Sequence, residues 1–173
     1  MSNAVVSNIF RFILLLLVQV FVFKQVTLEH EYLRIFLVFV YPLFILLLPF
    51  RTPRYWVIVL GFVMGLAVDI FYDSPGIHAS ALTFLAFLRA WVLRWLEPKG
   101  GYNANFSPTK ERMGLSWFFQ YTSILLALHL FFYFSVEAFT FVYIIDIIQK
   151  TIASFVVSLS VIMIIQFIFN PLD

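Results

Sequence analysis

Two carboxylates, Asp69 and Asp73, stand four residues apart in the stretch GFVMGLAVDIFYDSPGIHA, residues 61–79, where an otherwise lipid-like run ends. Carboxylates are ligands for hard cations, and acids at membrane depth mark ion or proton pathways, so a metal or proton site is one reading of the pair. The architectural reading is that Asp69 fixes the adjacent turn while Asp73 caps the next helix. His78 follows the turn and His129 lies in a later apolar run. Either could titrate or bind metal, but two dispersed histidines more readily serve as neutral, hydrogen-bonded side chains. With no cysteine in the chain there is neither a disulfide framework nor a thiolate metal site, and no cofactor is expected.

Gly61, Gly65, Asp69 and Asp73 recur every fourth residue and so share one slowly drifting helical face. Small residues let another helix approach closely, and the acids need a partner, a turn or water. That face is expected to meet protein and not lipid, with Pro75 and Gly76 completing the turn. Ser154 and Ser158 repeat the small-xxx-small spacing near the end of the chain and are read as a second packing seam.

The elements that must position these residues are set by composition. Of 173 residues, 63% are hydrophobic and 12% charged, with a mean hydropathy of +1.00, far from the balance of a soluble domain. Six apolar runs of bilayer-crossing length follow: Val5 to Phe23, Leu33 to Phe50, Tyr55 to Phe71, Ile77 to Leu96, Leu115 to Phe134 and Thr151 to Phe169. Solid runs without alternation exclude a barrel. The expected fold is all-α: a polytopic membrane protein built as one six-transmembrane-helix bundle over residues 1–173. No leader or cleavage pattern precedes the first run, which is read as a retained span.

Pro42 predicts a kink inside the second run. Pro49, Arg51, Pro53 and Arg54 make a basic hairpin after it, and Asp73-Ser74-Pro75-Gly76 makes the opposite turn. The one hydrophilic connector, EPKGGYNANFSPTKERMG at 97–114, is expected to be a cytoplasmic contact loop. Six spans with the N-terminus inside put eight Lys and Arg residues on the cytoplasmic side (Arg11, Arg51, Arg54, Arg89, Arg94, Lys99, Lys110 and Arg112) and three outside (Lys24, Arg34 and Lys150). This asymmetry places both termini in the cytoplasm. Arg89 is expected to snorkel inward. Residues 135–150 are read as a short interfacial or re-entrant helix leading into the last span, the alternative being one long tilted helix, with Asp146 and Lys150 partly neutralising each other. A net charge of +2 gives no footprint for nucleic acid, and Trp56, Trp91, Trp95 and Trp117 read as an interfacial belt.

Gly65, Asp69 and Asp73 also satisfy G-x3-D-x3-D, which resembles half of the motif of the CDP-alcohol phosphatidyltransferases. The other half is absent: Leu48, Arg51 and Thr52 occupy its acidic and glycine positions, and Tyr55-Trp56 its Ala-Arg. No nucleophile elbow, zinc helix or phosphate loop appears, so no enzyme is expected.

Gly65 to Arg89, GLAVDIFYDSPGIHASALTFLAFLR, is more closely similar to the signature of the rod shape-determining protein MreD family, in which G-L-x-x-D at the end of a span leads into a Ser/Pro/Gly turn and a small-residue helix. The phenylalanine-rich style and the L-x-F-L-R ending resemble its Bacteroidetes branch. The resemblance implies a non-enzymatic inner-membrane component of the bacterial cell-elongation machinery. Such a component binds MreC and links MreB filaments to peptidoglycan synthesis by RodA and its penicillin-binding protein, amid membrane lipids. It also implies a bundle like the substrate-binding subunits of ECF transporters, which keeps a small-molecule-binding membrane subunit as the alternative.

Overall fold

The computed structural model describes residues 2–25 and 36–169. Arg34 and the start of the second apolar run, both used above, lie outside the described residues. The chain is all-α, with no strand among the described residues, and five of its helices are long and apolar enough to cross a membrane. Helix α1 spans Ser2–Leu17 and runs without a break into a π-helical stretch, Val18–Phe23. Then come α2 (Leu43–Leu46), α3 (Arg54–Tyr72), α4 (Ile77–Trp95), α5 (Lys110–Met113), α6 (Leu115–Ala138) and α7 (Ile144–Phe169). Helices α3 and α4 pack against each other, α4 against α6, and α6 against α7, while α1 leans on α3. Large apolar side chains such as Ile70, Ile152 and Phe167 face outward, as lipid-facing surfaces require.

The bundle has two ends. Lys24 donates to the Phe71 carbonyl, so α1 finishes beside the α3–α4 turn, the turn end. At the other, connector end, Asn8, Arg11, Pro49, Arg51, Asn105 and Ser107 line one small cleft, and the Lys110 amide reaches Gln166 of α7. The start of α1 and the finish of α7 therefore lie at the same end. The four tryptophans sit there too, at the start of α3, the finish of α4 and the start of α6.

The second predicted span is corrected. Residues 36–40 have no regular secondary structure, α2 is a single turn, and residues 47–50 are again irregular, yet 39–49 are buried throughout. From Leu37 at the turn end to Leu48 at the connector end this segment runs along the bundle beside the five membrane-length helices. Two prolines explain the break. Pro42 lacks an N–H for the bond to Val38 and disfavours helix at Tyr41, and Pro49 stops any helix seven residues later. Between them only one turn forms, with Pro42 as its N-cap.

The re-entrant helix expected at 135–150 is corrected as well. Phe139 adopts a left-handed conformation (φ 53°) that ends α6, a 3-10 turn follows at Phe141–Tyr143, and one continuous 26-residue helix starts at Ile144. At 1.5 Å per residue α7 is about 39 Å long, more than a bilayer core of about 30 Å, so its first turns project beyond it or the helix tilts. Lys150 pairs with Glu137 of α6 at 3.5 Å and not with Asp146.

The 97–114 connector folds back on the bundle. Phe50 and Arg51 donate their amides to Phe106 and Ala104, Phe50 stacks on Tyr102, and Ser107 and Thr109 are buried.

Candidate functional site

Irregular backbone at membrane depth leaves amides and carbonyls with no helical partners, a cost tolerated only where other protein groups replace them. Four neighbouring elements supply those groups here. From α7, Ser154 Oγ accepts the Leu37 amide at 3.1 Å and Ser158 Oγ the Phe39 amide at 2.9 Å. From the π-helical stretch, Gln19 Oε1 accepts the Val40 amide at 2.8 Å and its Nε2 donates to the Val38 carbonyl at 2.9 Å. From α6, the Tyr121 hydroxyl donates to the Leu46 carbonyl at 3.1 Å. From α4, Arg89 donates to the Leu48 carbonyl and, through Nε, to Tyr121 at 2.9 Å. The two predicted seam serines thus hold the unwound crossing in place of a helix. Arg89, expected to snorkel, is 3% exposed and stays inside as part of this scaffold.

His129 belongs to the same network. Its Nδ1 lies 3.1 Å from the Ala81 carbonyl and its Nε2 3.0 Å from the Tyr41 hydroxyl, so a neutral ring donates to the first and accepts from the second.

The α3–α4 hairpin carries the other predicted residues. Gly65 lies so near α4 that a Cβ there would stand 2.4 Å from Ala79 Cα and 2.6 Å from the His78 carbonyl oxygen. Gly61 is looser, its Cβ position being 3.0 Å from Ala86 Cβ. The glycine face is therefore an intramolecular contact with α4. Asp69, 5% exposed, reaches across the turn: Oδ1 accepts the His78 amide at 3.0 Å and Oδ2 the Ala79 amide at 2.9 Å. It thereby satisfies two of the amides that the start of α4 leaves free and sets a negative charge at the positive end of that helix dipole. Ser74 Oγ donates to Asp69 Oδ1 at 2.7 Å, and His78 Nδ1 is 3.0 Å from the same oxygen.

The capping role falls to Asp69 and not to Asp73. Asp73 is the exposed left-handed residue (φ 53°) that closes α3, its amide bonded to the Asp69 carbonyl. Pro75 is exposed in the turn, and Gly76 supplies φ 82° as the residue before α4, a conformation that glycine adopts without penalty.

Beside this hairpin lies a cavity of about 280 Å³ at the turn end, lined in part by Gln19, Lys24, Phe39, Tyr72, His78 and Tyr133. Among the described residues no group of three or more His, Cys, Asp or Glu could hold a metal ion. Sequence reasoning passed over Gln19, Tyr121 and Tyr72. A lone amide inside the apolar run FILLLLVQVFVF was the available signal for Gln19, whereas nothing in the sequence marks either tyrosine.

No family model, curated protein or solved structure matches the chain.

Proposed function

We propose that this chain is a non-enzymatic scaffold of the bacterial cell-elongation complex, an MreD-like protein of the cytoplasmic membrane that binds MreC and links MreB filaments to RodA and its penicillin-binding protein. The observation that carries the reading is the use made of the G-L-x-x-D segment. Gly65 seats one helix directly on the backbone of the next, and both oxygens of Asp69 are committed to backbone amides of that helix. A segment used in this way supports an architectural role for Gly65 and Asp69. The basic residues Arg11, Arg51, Lys99, Lys110 and Arg112 gather in and around the connector end, which supports placing that end and both termini in the cytoplasm.

Capture of the tagged wild-type chain from native membranes, with partners identified by mass spectrometry, tests the proposal. MreC and other elongation proteins are expected; a folded, monodisperse preparation that brings down none of them defeats it. Substitution of Gly65 is unsuitable for this purpose, because that residue faces α4 and its loss reports folding. The cavity at the turn end favours a second reading, the small-molecule-binding subunit of an ECF-type transporter, for which an energising transmembrane subunit should be captured instead.

A further inference from the structure

The cavity at the turn end has an unused chemistry that the scaffold role does not call on. Most polar groups along its wall are committed. Gln19 uses its amide on Val38, Val40 and Tyr72, and Tyr72 donates its own proton to the Gln19 carbonyl at 3.2 Å. Lys24 donates to Phe71. Among the described residues two groups are free of such ties: the Tyr133 hydroxyl makes no hydrogen bond, and His78 Nε2 is fully buried without a partner.

The network fixes which proton the imidazole carries. An ionised Asp69 only accepts, and Ser74 has given its hydroxyl proton to Asp69 Oδ1, so the ring proton sits on Nδ1, 3.0 Å from that oxygen. In the neutral ring Nε2 is then a lone-pair acceptor on the edge turned away from Asp69. The side chain is 1% exposed and is hemmed by aromatic rings, with Tyr72 and Tyr133 each 4.9 Å away and Phe39 at 6.2 Å between centroids.

We propose that this cavity binds a small uncharged molecule or group that donates a hydroxyl or amide proton to His78 Nε2 and lays an apolar or ring face against Tyr72 and Tyr133. A metal ion is disfavoured because the site offers one imidazole and the neighbouring carboxylate is engaged on α4. A charged ligand is disfavoured because Lys24 and Glu137 bring opposite signs to the same wall, and Glu137 is itself neutralised by Lys150. At about 280 Å³ the space lies just below the range of about 300–1,000 Å³ usual for ligand pockets, so the ligand is small. The site does not depend on the scaffold reading, because its test observes the imidazole and not assembly.

The donor could belong to a free molecule or to the hydroxyl of a neutral lipid, and the experiment separates these sources. The full chain, labelled with ¹⁵N-histidine, is placed in phosphatidylcholine nanodiscs and the His78 Nε2 resonance is followed by NMR. Titration with 2-naphthol should shift it saturably, whereas 2-methoxynaphthalene, which has no donor, should bind at least tenfold more weakly. Doping the nanodiscs with diacylglycerol supplies the lipid hydroxyl; a shift there alone assigns the donor to lipid, and one with 2-naphthol alone assigns it to a free molecule. Tyr133→Leu, which keeps the imidazole but removes the ring face from that wall, should weaken whichever ligand binds by at least threefold. If neither 2-naphthol nor diacylglycerol moves the resonance, or if 2-methoxynaphthalene moves it equally, the cavity holds only water or unspecific apolar matter and the proposal fails.

Discussion

Replacing Gln19 with leucine isolates the energetic logic of the unwound crossing. Gln19 is 1% exposed and leucine nearly matches its volume, so packing is largely preserved while the amide is lost. The Val40 amide, on a fully buried residue, then has no acceptor at 2.8 Å, and the Val38 carbonyl loses its donor at 2.9 Å. Each buried backbone group left unpaired costs about 1–3 kcal/mol, which sums to about 2–6 kcal/mol for the pair. An ordinary side-chain hydrogen bond between membrane helices averages only about 0.6 kcal/mol, because the separated helices find other partners. A loss above about 2 kcal/mol therefore marks backbone that depends on Gln19. Unfolding of the purified chain in micelles gives the free energy, and hydrogen exchange at the Val40 amide gives the local answer. Stability within about 0.5 kcal/mol of the parent, with Val40 still protected, would refute the reasoning.

The hairpin makes graded predictions. Gly65→Ala should destabilise by about 3 kcal/mol or more, since its methyl overlaps the backbone of α4, whereas Gly61→Ala stands 3.0 Å from Ala86 Cβ and 3.1 Å from the Leu82 carbonyl oxygen, needs a far smaller helix shift, and should cost less than about 2 kcal/mol by the same unfolding assay. Asp69→Ala strips the acceptors from the His78 and Ala79 amides and should cost about 2–5 kcal/mol, while Asp73→Ala, at an exposed position, should stay within about 1 kcal/mol; thermal unfolding of the two variants side by side checks the order. Burial pushes the Tyr102 hydroxyl of the connector up to about 12, opposed by its contact with Trp117. Its folded value thus lies above its ordinary one, so its contribution to stability holds below pH 10 and fades between about pH 10 and 12. Ultraviolet titration of the parent and of Tyr102→Phe side by side should show a difference of one tyrosine ionising at about pH 12.

Hydropathy marked six apolar runs, and five of them hold helices of membrane length, because a buried or lipid-facing segment must be apolar whatever its backbone does. It could not tell that the second is not a helix: FLVFVYPLFILLLPF is as greasy as its neighbours, and only Pro42 and Pro49 hinted at a break. The decisive information sits elsewhere in the chain, in Gln19, Tyr121, Ser154 and Ser158, whose partners are 19 to 121 residues away. The hairpin was more legible because its parts are local. The four-residue spacing of Gly61, Gly65 and Asp69 put them on one face, and the Ser-Pro-Gly turn put α4 opposite. Which acid does the capping was not legible, since Asp69 reaches across the turn to amides nine and ten residues ahead. The extent of α7 was obscured by Asp146 and Lys150, which look like a boundary but sit where the helix emerges from the bundle.

The π-helical stretch that carries Gln19 behaves as a one-residue insertion in the first helix: the Lys24 amide returns to the Gln19 carbonyl, five residues back. One extra residue in ordinary winding would swing everything beyond it by about 100°, and the wide turn absorbs that rotation, so the two halves of the helix stay in phase. The lipid-facing stripe before the turn and Lys24 after it therefore keep their bearings while the turn holds the inward-pointing amide. Trimming one residue from 18–23 should leave the two halves in phase and take out the wide turn alone.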